Sequence, residues 1–400
     1  MDLKQHQKKA IKESGDKWGL WFEMRVGKTP TAIKLARRAE TALVISPKSI
    51  VEHWKNEIKV WGDGNKGCDI SVISRETFKR DWKSLPMIEA LIIDEVHAHF
   101  GNYKNQAYKV LEKYIKRWNP RFIWLLTGTP LPASSWAIFS YGRLLGKNWA
   151  WYDWDRRFFY RVKMGRRIIP MPIAGKEQEL QEILKRIGTV VSLKDVVDVM
   201  DDENIIENFD LIPIQKKLIK EHFDPMPIVR YTRQHQLESG VLKSDGYRET
   251  ISFACDKDKR LLELVKDNKK IVIVCRYLDQ IDKYADALAG LGRNIYRISG
   301  QEKRTATEIA PEAENDPSAI VICQSDTSLG YSLKSFDTMV FASLSYSFVN
   351  YDQMKSRMKS MDKKTPCTYI HLLTEGDSID KAVYKCVLKK CDFQAELFHK

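Results

Sequence analysis

Three short constellations in this 400-residue chain bring together residue types with a definite chemistry. Gly27-Lys28-Thr29 stands directly before the helix-forming run TPTAIKLARRA. A phosphate-binding loop needs backbone N–H groups curled toward an anion, a lysine for the outer phosphates and a hydroxyl for magnesium. These three residues supply the last part of that arrangement, and Pro30 is tolerated in the first helical turn. The full GxxxxGK[ST] spacing asks for glycine at 22 and finds Phe22, so the tripeptide alone reads equally well as an exposed helix start. Further on, Leu91-Ile92-Ile93 runs into Asp94-Glu95-Val96-His97. Two adjacent acids at the end of a buried strand are costly unless a cation offsets them. In a nucleotide site the first acid holds Mg²⁺ and the second orients or deprotonates the attacking water. A plain acidic turn is the competing reading, and it weakens with a GKT loop 66 residues upstream. Thr127-Gly128-Thr129-Pro130 closes another apolar run, where a simple turn would also suffice.

The elements that must position these groups are short apolar runs alternating with helical stretches. TALVIS (41–46), DISVIS (69–74), ALIIDE (90–95) and RFIWLLTG (121–128) predict buried parallel strands. KKIVIVC (269–275), NIYRIS (294–299), AIVICQ (319–324), TMVFAS (338–343) and CTYIHLL (367–373) repeat the pattern. Helices are expected over 279–289, closed by Gly290 and Gly292, and over 350–360. Alternating strands and helices need crossover connections, hence an α/β fold with parallel sheets covered on both faces. The stretch between, with KEQELQEILKRIG and IPIQKKLIKEHF, has helical periodicity. All eleven tryptophans fall at or before Trp154, so the two α/β blocks are not a recent duplication. The expected division is 1–145 for a first lobe, 146–250 for a helical insertion and linker, and 251–400 for a second lobe. A hinge is expected near 240–258.

GKT, DEVH and TGTP, in that order and each after an apolar strand, resemble motifs I, II and III of superfamily 2 helicase-type ATPases. Further matches resemble the Swi/Snf-like branch. Leu3-Lys4-Gln5-His6-Gln7 is similar to its adenine-reading LxxxQ motif, and Glu23-Met24 to the start of its DEMGLGKT loop. LVISPKSIVEHWKNEI resembles motif Ia, with Pro47, Trp54 and Glu57 in place, and ISRETF (73–78) the next DNA-side motif. Arg233-Gln234 resembles the family's RQ-containing helix, IVIVCRY motif IV, ISGQEKR the glycine motif after it, and QSDTSLGYSL (324–333) motif V. Gln353 to Arg357 resembles the QxxxR of motif VI.

The resemblance implies two RecA-like domains, ATP and Mg²⁺ as cofactors, and DNA as partner. Lys28, Asp94, Glu95 and Arg357 would be catalytic. Gln7, Arg25, Gly27, Lys28 and Thr29 would bind nucleotide, with Thr29 and Asp94 on the metal. His97, Thr127, Thr129, Gly330 and Gln353 would couple nucleotide state to movement. Pro47, Lys48, Ser74, Arg156, Arg157, Arg161, Arg276 and Ser325 would contact nucleic acid. The implied activity is ATP-driven translocation on, or remodelling of, DNA in replication, recombination or repair, with duplex or branched DNA favoured and single-stranded DNA or RNA left open as alternatives. Its size resembles compact monomeric motors of bacteria or phage, with no space for histone-reading modules.

Two positions depart from the pattern. Arg25 replaces a near-universal glycine of the phosphate loop, and Ser360 stands where motif VI carries its second arginine, with Lys359 and Lys363 nearby as substitutes. These departures keep open a nucleic-acid-binding scaffold with a degenerate, slow or inactive ATPase. A metabolic ATPase or phosphotransferase using the first lobe alone leaves the motif V and VI matches unexplained.

Composition agrees with a polyanionic partner. Lysine and arginine number 66 against 53 acids, a surplus of 13. Residues 156–167 hold six cations and no acid, with aromatics between them. They suit either phosphate contacts with base stacking or an amphipathic helix with a solvated basic face. Trp149, Trp151 and Trp154 are expected in core or hinge packing. Seven cysteines include no CxxC pair, which argues against a zinc ribbon or disulfide framework. Without a signal-like N-terminal apolar stretch or an 18-residue apolar run, a cytoplasmic protein is expected.

Overall fold

Apolar runs too short for a helix become strands, and the amphipathic stretches between them become crossover helices. A computed structural model describes residues 2–62, 67–130, 136–164, 167–196, 201–243, 250–327, 330–389 and 392–393. The chain divides into two units, Met1–Asp198 and Val199–Lys400.

The first unit runs α1 (Gln5–Glu13), β1 (Lys17–Phe22), α2 (Lys28–Ala36), β2 (Thr41–Ser46), α3 (Val51–Trp61), β3 (Asp69–Ser74), α4 (Arg75–Asp81) and β4 (Ala90–Ile93). It continues with α5 (Val96–Phe100), α6 (Gln106–Trp118), β5 (Phe122–Leu126), α7 (Trp136–Leu144), α8 (Trp151–Phe158), β6 (Phe159–Met164), β7 (Arg167–Pro172), α9 (Glu177–Ile187) and β8 (Gly188–Val191). Its six-stranded sheet has the order β3-β2-β4-β5-β1-β8, every pair parallel. Burial on both faces explains the unbroken apolar runs in β4 and β5. Leu20 pairs with Leu126 and Ile93 with Leu125, so β4, β5 and β1 end side by side. The loops that follow them carry DEVH, TGTP and GKT.

The second unit contains β9 (Glu203–Phe209), α10 (Pro213–Glu221), α11 (Pro227–Glu238), β10 (Val241–Lys243), β11 (Thr250–Ser252), α12 (Asp256–Asp267), β12 (Ile271–Cys275) and α13 (Leu278–Leu288). Then come β13 (Ile295–Ile298), α14 (Ala306–Asn315), β14 (Ile320–Gln324), β15 (Thr338–Phe341), α15 (Phe348–Ser356), β16 (Thr368–Thr374) and α16 (Ile379–Leu388). Its sheet, β13-β14-β12-β15-β16-β9, is again parallel throughout. Both units are RecA-like α/β domains, and all nine expected strands are present.

The segment 146–250 does not form a third body. Its first part belongs to the first unit, where β8 extends the sheet beside β1, and its second part opens the second unit with β9. It is also less helical than its periodicity suggested. From Phe159 the basic stretch leaves α8 and pairs as the antiparallel hairpin β6–β7. The region expected as a hinge lies inside the second unit, where β10 and β11 pair antiparallel; residues 244–249 lie outside the described residues. The helices expected over 279–289 and 350–360 span Leu278–Leu288 and Phe348–Ser356. Among the described residues no helix is long and apolar enough to cross a membrane.

Candidate nucleotide site and nucleic-acid-facing residues

The loop between β1 and α2 is anchored at both ends. The Glu23 N–H donates to the Val191 carbonyl (2.8 Å), and the Glu23 carboxylate accepts from the Leu193 N–H (2.8 Å). On the other side, the buried Gln7 donates from Nε2 to the Gly27 carbonyl (3.0 Å). Its Oε1 accepts from the Lys4 N–H (2.7 Å). His6 Nε2 lies 2.9 Å from the Val26 carbonyl. Gln7 therefore touches the phosphate loop, joining the motif expected to read adenine to the one expected to hold phosphate.

Gly27 has φ 84° and Arg25 φ 67°, both left-handed. Only glycine adopts that region without a Cβ penalty, which runs to ~1–2 kcal/mol for other residues. A glycine at the position Arg25 occupies would take this turn without that cost. Arg25→Gly should therefore raise stability or leave it unchanged, whereas Arg25→Val should lower it by ~1–2 kcal/mol because β-branched residues tolerate positive φ least. Urea unfolding curves for the two variants would check this ordering, and equal midpoints would refute it.

Lys28, the first residue of α2, donates from Nζ to the Phe22 carbonyl (3.0 Å). Asp94 is buried at the end of β4. Its Oδ2 accepts from Trp54 Nε1 (2.7 Å) and its Oδ1 from the Glu95 N–H (2.9 Å). Burial, then the charge of Glu95, pushes the Asp94 carboxyl up to about 6, against the Trp54 hydrogen bond and the attraction of Lys28. Glu95 is also left-handed (φ 47°), and its Oε2 is buried without a hydrogen-bond partner. That oxygen lies 3.4 Å from His97 Nδ1. The His97 ring hydrogen-bonds Thr127 Oγ1 (2.8 Å), which also accepts from the Thr129 N–H (3.0 Å). Burial, then the positive charge of Lys28, lowers the His97 pKa to about 3, so the imidazole is neutral at physiological pH.

Lys28, Asp94, Glu95, His97, Thr127 and Thr129 thus gather at the C-terminal edge of β1, β4 and β5, where α/β sheets place ligands. The site fits a magnesium–triphosphate. It presents a helix start after a left-handed glycine, a hydroxyl at Thr29, and a buried carboxylate in the field of a lysine.

Several contributors carry no mark of their role in the sequence. Trp54 stands in the stretch resembling motif Ia, but its bond to an acid 40 positions away follows only from the fold, which brings a side chain of α3 to the residue after β4. Arg75 begins α4, with Nε and Nη1 buried and lacking hydrogen-bond partners. Burial lowers its pKa, while Glu76, Glu95 and Asp94 act to raise it. The Tyr141 hydroxyl is likewise buried without a partner, and burial with the charge of Glu95 raises its pKa. Spacing within the motifs gives no signal for either residue.

The residues expected on nucleic acid have varied settings. Pro47 and Lys48 follow β2, with Lys48 exposed. Ser74 is the N-cap of α4, its Oγ accepting from the Thr77 N–H (3.1 Å). Arg156, Arg157 and Arg161 are exposed, but flanking acids face them. Asp153 lies 3.9 Å from Arg156, Glu179 pairs with Arg157 and Asp155 pairs with Arg161. Trp149 and Trp154 stack at 5.0 Å, and Trp151 packs on Tyr103 and Trp136, as expected for core aromatics.

In the second unit, Arg276 lies over the Tyr346 ring at 3.8 Å, and the buried Ser325 donates its N–H to the Cys275 carbonyl (2.8 Å). Gly330 has φ 89°. Gln353 is buried in α15. Arg357 caps that helix, is buried, and donates from Nη1 to the Tyr331 carbonyl (2.8 Å). Motif VI is therefore tied to motif V within this unit. Lys359 is paired with Asp202 (2.6 Å) and Lys363 with Asp337 (2.8 Å), so each candidate substitute for the arginine missing at Ser360 already faces a carboxylate.

No family model matches the chain. The human SWI/SNF-related matrix-associated actin-dependent regulator of chromatin subfamily A member 1 is 22% identical over 452 residues, covering 95% of this chain and 42% of that protein. The chain thus spans less than half the length of that relative. Among solved structures, the Sulfolobus solfataricus SWI2/SNF2 ATPase core in complex with dsDNA matches 97% of this chain and 91% of that chain, at 16% identity and a TM-score of 0.44. The likeness to the human protein extends over the same span as the motifs, and the chain resembles the Swi/Snf-like branch of superfamily 2 along nearly its whole length.

Proposed function

We propose that this protein is a DNA-dependent ATPase that couples ATP hydrolysis to translocation on, or remodelling of, duplex or branched DNA. The observation that carries the reading is the convergence of Lys28, Asp94, Glu95 and His97 at one sheet edge behind a left-handed phosphate loop. Lys28 would leave the Phe22 carbonyl for the β- and γ-phosphates, and Gln7 would turn from Gly27 to adenine. Thr29 and Asp94 would hold magnesium, which when bound neutralises phosphate charge. Glu95 would take the proton of the attacking water. The neutral His97, bonded to Thr127, would pass the state of that water to the loop after β5. Arg357, bonded here to the Tyr331 carbonyl, would be the arginine that the motif VI resemblance assigns to hydrolysis. The single arginine of motif VI supports slow turnover, since an arginine finger is worth ~10³–10⁵ in rate.

DNA as the partner is supported by the basic surplus and by the Swi/Snf-like motifs on the nucleic-acid side. The test is phosphate release at stated salt with duplex DNA, single-stranded DNA, branched DNA, RNA and no nucleic acid. Duplex or branched DNA should raise turnover severalfold, and Lys28→Ala should cut it at least ~100-fold. Equal rates with and without any nucleic acid would refute a nucleic-acid-driven motor, and a Lys28→Ala variant matching the parent would refute the nucleotide site.

A further inference from the structure

In the second unit, α10 and α11 flank a cavity of about 370 Å³ whose α11 wall includes Arg233 and Gln234 of the RQ-like stretch. Its walls include Ile219 and the buried Tyr231 and Leu237, and Phe223, 62% exposed, stands at its mouth. Met226 and Ile228 continue an exposed apolar shoulder along the connection into α11. Single exposed apolar residues are ordinary on a protein surface, but a cluster around a concave cavity marks an interaction site.

The rim is cationic. Arg230 lies with its guanidinium 5.1 Å from the Phe223 ring centroid and 4.7 Å from that of Tyr231, and donates from Nη2 to the Tyr231 hydroxyl (2.9 Å). Arg233 also lines the cavity, 3.2 Å from Asp224. Over residues 213–233 there are five lysines and arginines against two carboxylates. The planar guanidinium fork of an arginine matches a carboxylate in a bidentate pair.

We propose that this cavity is a docking site for an acidic peptide segment of a partner protein, which inserts one aromatic or large aliphatic side chain between α10 and α11. The apolar walls take the inserted side chain, and the guanidinium edges take neighbouring carboxylates. The Met226–Ile228 shoulder favours a peptide over a nucleic-acid strand, because phosphates gain nothing from covering methionine and isoleucine.

The experiment uses the full chain and a fluorescein-labelled, aspartate-rich peptide ending in phenylalanine, followed by fluorescence anisotropy. Binding in the micromolar range is expected. Replacing the terminal phenylalanine by alanine, or introducing Phe223→Asp or Arg230→Glu, should each weaken it at least tenfold. Thermal melts matching the parent would show that the variants are folded, and Phe223→Ala provides a milder substitution should either charged variant melt early. Undetectable binding, or peptides with phenylalanine and alanine binding equally, would overturn the proposal. So would a single-stranded oligonucleotide losing affinity tenfold in the same variants while the peptide does not. None of these readouts depends on ATP hydrolysis, so the proposal stands or falls apart from the motor reading.

Discussion

Glu95→Gln is expected to cut DNA-stimulated phosphate release by ~10²–10⁴-fold, the range a general base contributes, while ATP still binds. The substitution keeps the size of the side chain but removes its charge and turns one acceptor oxygen into an NH2 donor, so it can no longer take a proton. Glu95 is set for that role by a backbone conformation that is costly for a non-glycine residue and by an oxygen buried without a hydrogen-bond partner. Such an oxygen carries an unmet demand for a donor, which the attacking water of the proposed reaction would meet. Its neighbour His97, held neutral by burial and by Lys28, does not compete by donating a full positive charge. Single-turnover phosphate release beside filter retention of labelled ATP separates the two effects. A variant that turns over within threefold of the parent would remove Glu95 from the chemistry.

Asp94→Asn should abolish magnesium-dependent hydrolysis and, without metal or nucleotide, alter stability in a pH-dependent way. The folded protein holds the Asp94 proton up to about pH 6, against an ordinary value of 3.8. Because the folded pKa is raised, stability from this group is full below pH ~4 and is lost as pH rises toward 6. The gap of about two pKa units corresponds to up to ~3 kcal/mol at ~1.4 kcal/mol per unit. Asparagine carries no charge and escapes that loss, although it gives up one of the two acceptors now facing Trp54 and the Glu95 N–H. The stability of the variant relative to the parent should therefore climb between pH 4.5 and 7.5, by ~1–3 kcal/mol. Urea unfolding in EDTA at the two pH values measures it. A difference that stays flat across the range would show that Asp94 is not held protonated by burial and Glu95.

Both predictions concern residues that are legible in the sequence. The acids follow an apolar strand, the GKT precedes a helix, and their order along the chain carries the resemblance. The polar contacts that tune them are not legible there. Trp54 and Asp94 are 40 residues apart, and Gln7 and Gly27 are 20 apart. Only the order in which strands are laid into a sheet brings such pairs within hydrogen-bond distance. Along the chain Arg75 is one more cation among many lysines and arginines, and only its buried nitrogens place it in the field of Asp94 and Glu95.

Local patterns suffice for the fold class, for nine of the strands, and for the residues of the proposed nucleotide site. Those patterns are runs of β-branched and aromatic residues, helix starts, and adjacent charged groups, all readable within a few positions of one another. Where one unit ends and the next begins depends instead on long-range pairing. GTVV and ENIIENF carry too few apolar residues, or the wrong alternation, to announce β8 and β9. They become strands because a neighbour already in the sheet offers a row of unpaired backbone groups, as β16 does along all seven residues of β9. The left-handed turn at Arg25 has the same origin. The loop is held at Glu23 by the end of β8 and at Gly27 by Gln7, and the backbone between them takes the path those anchors allow.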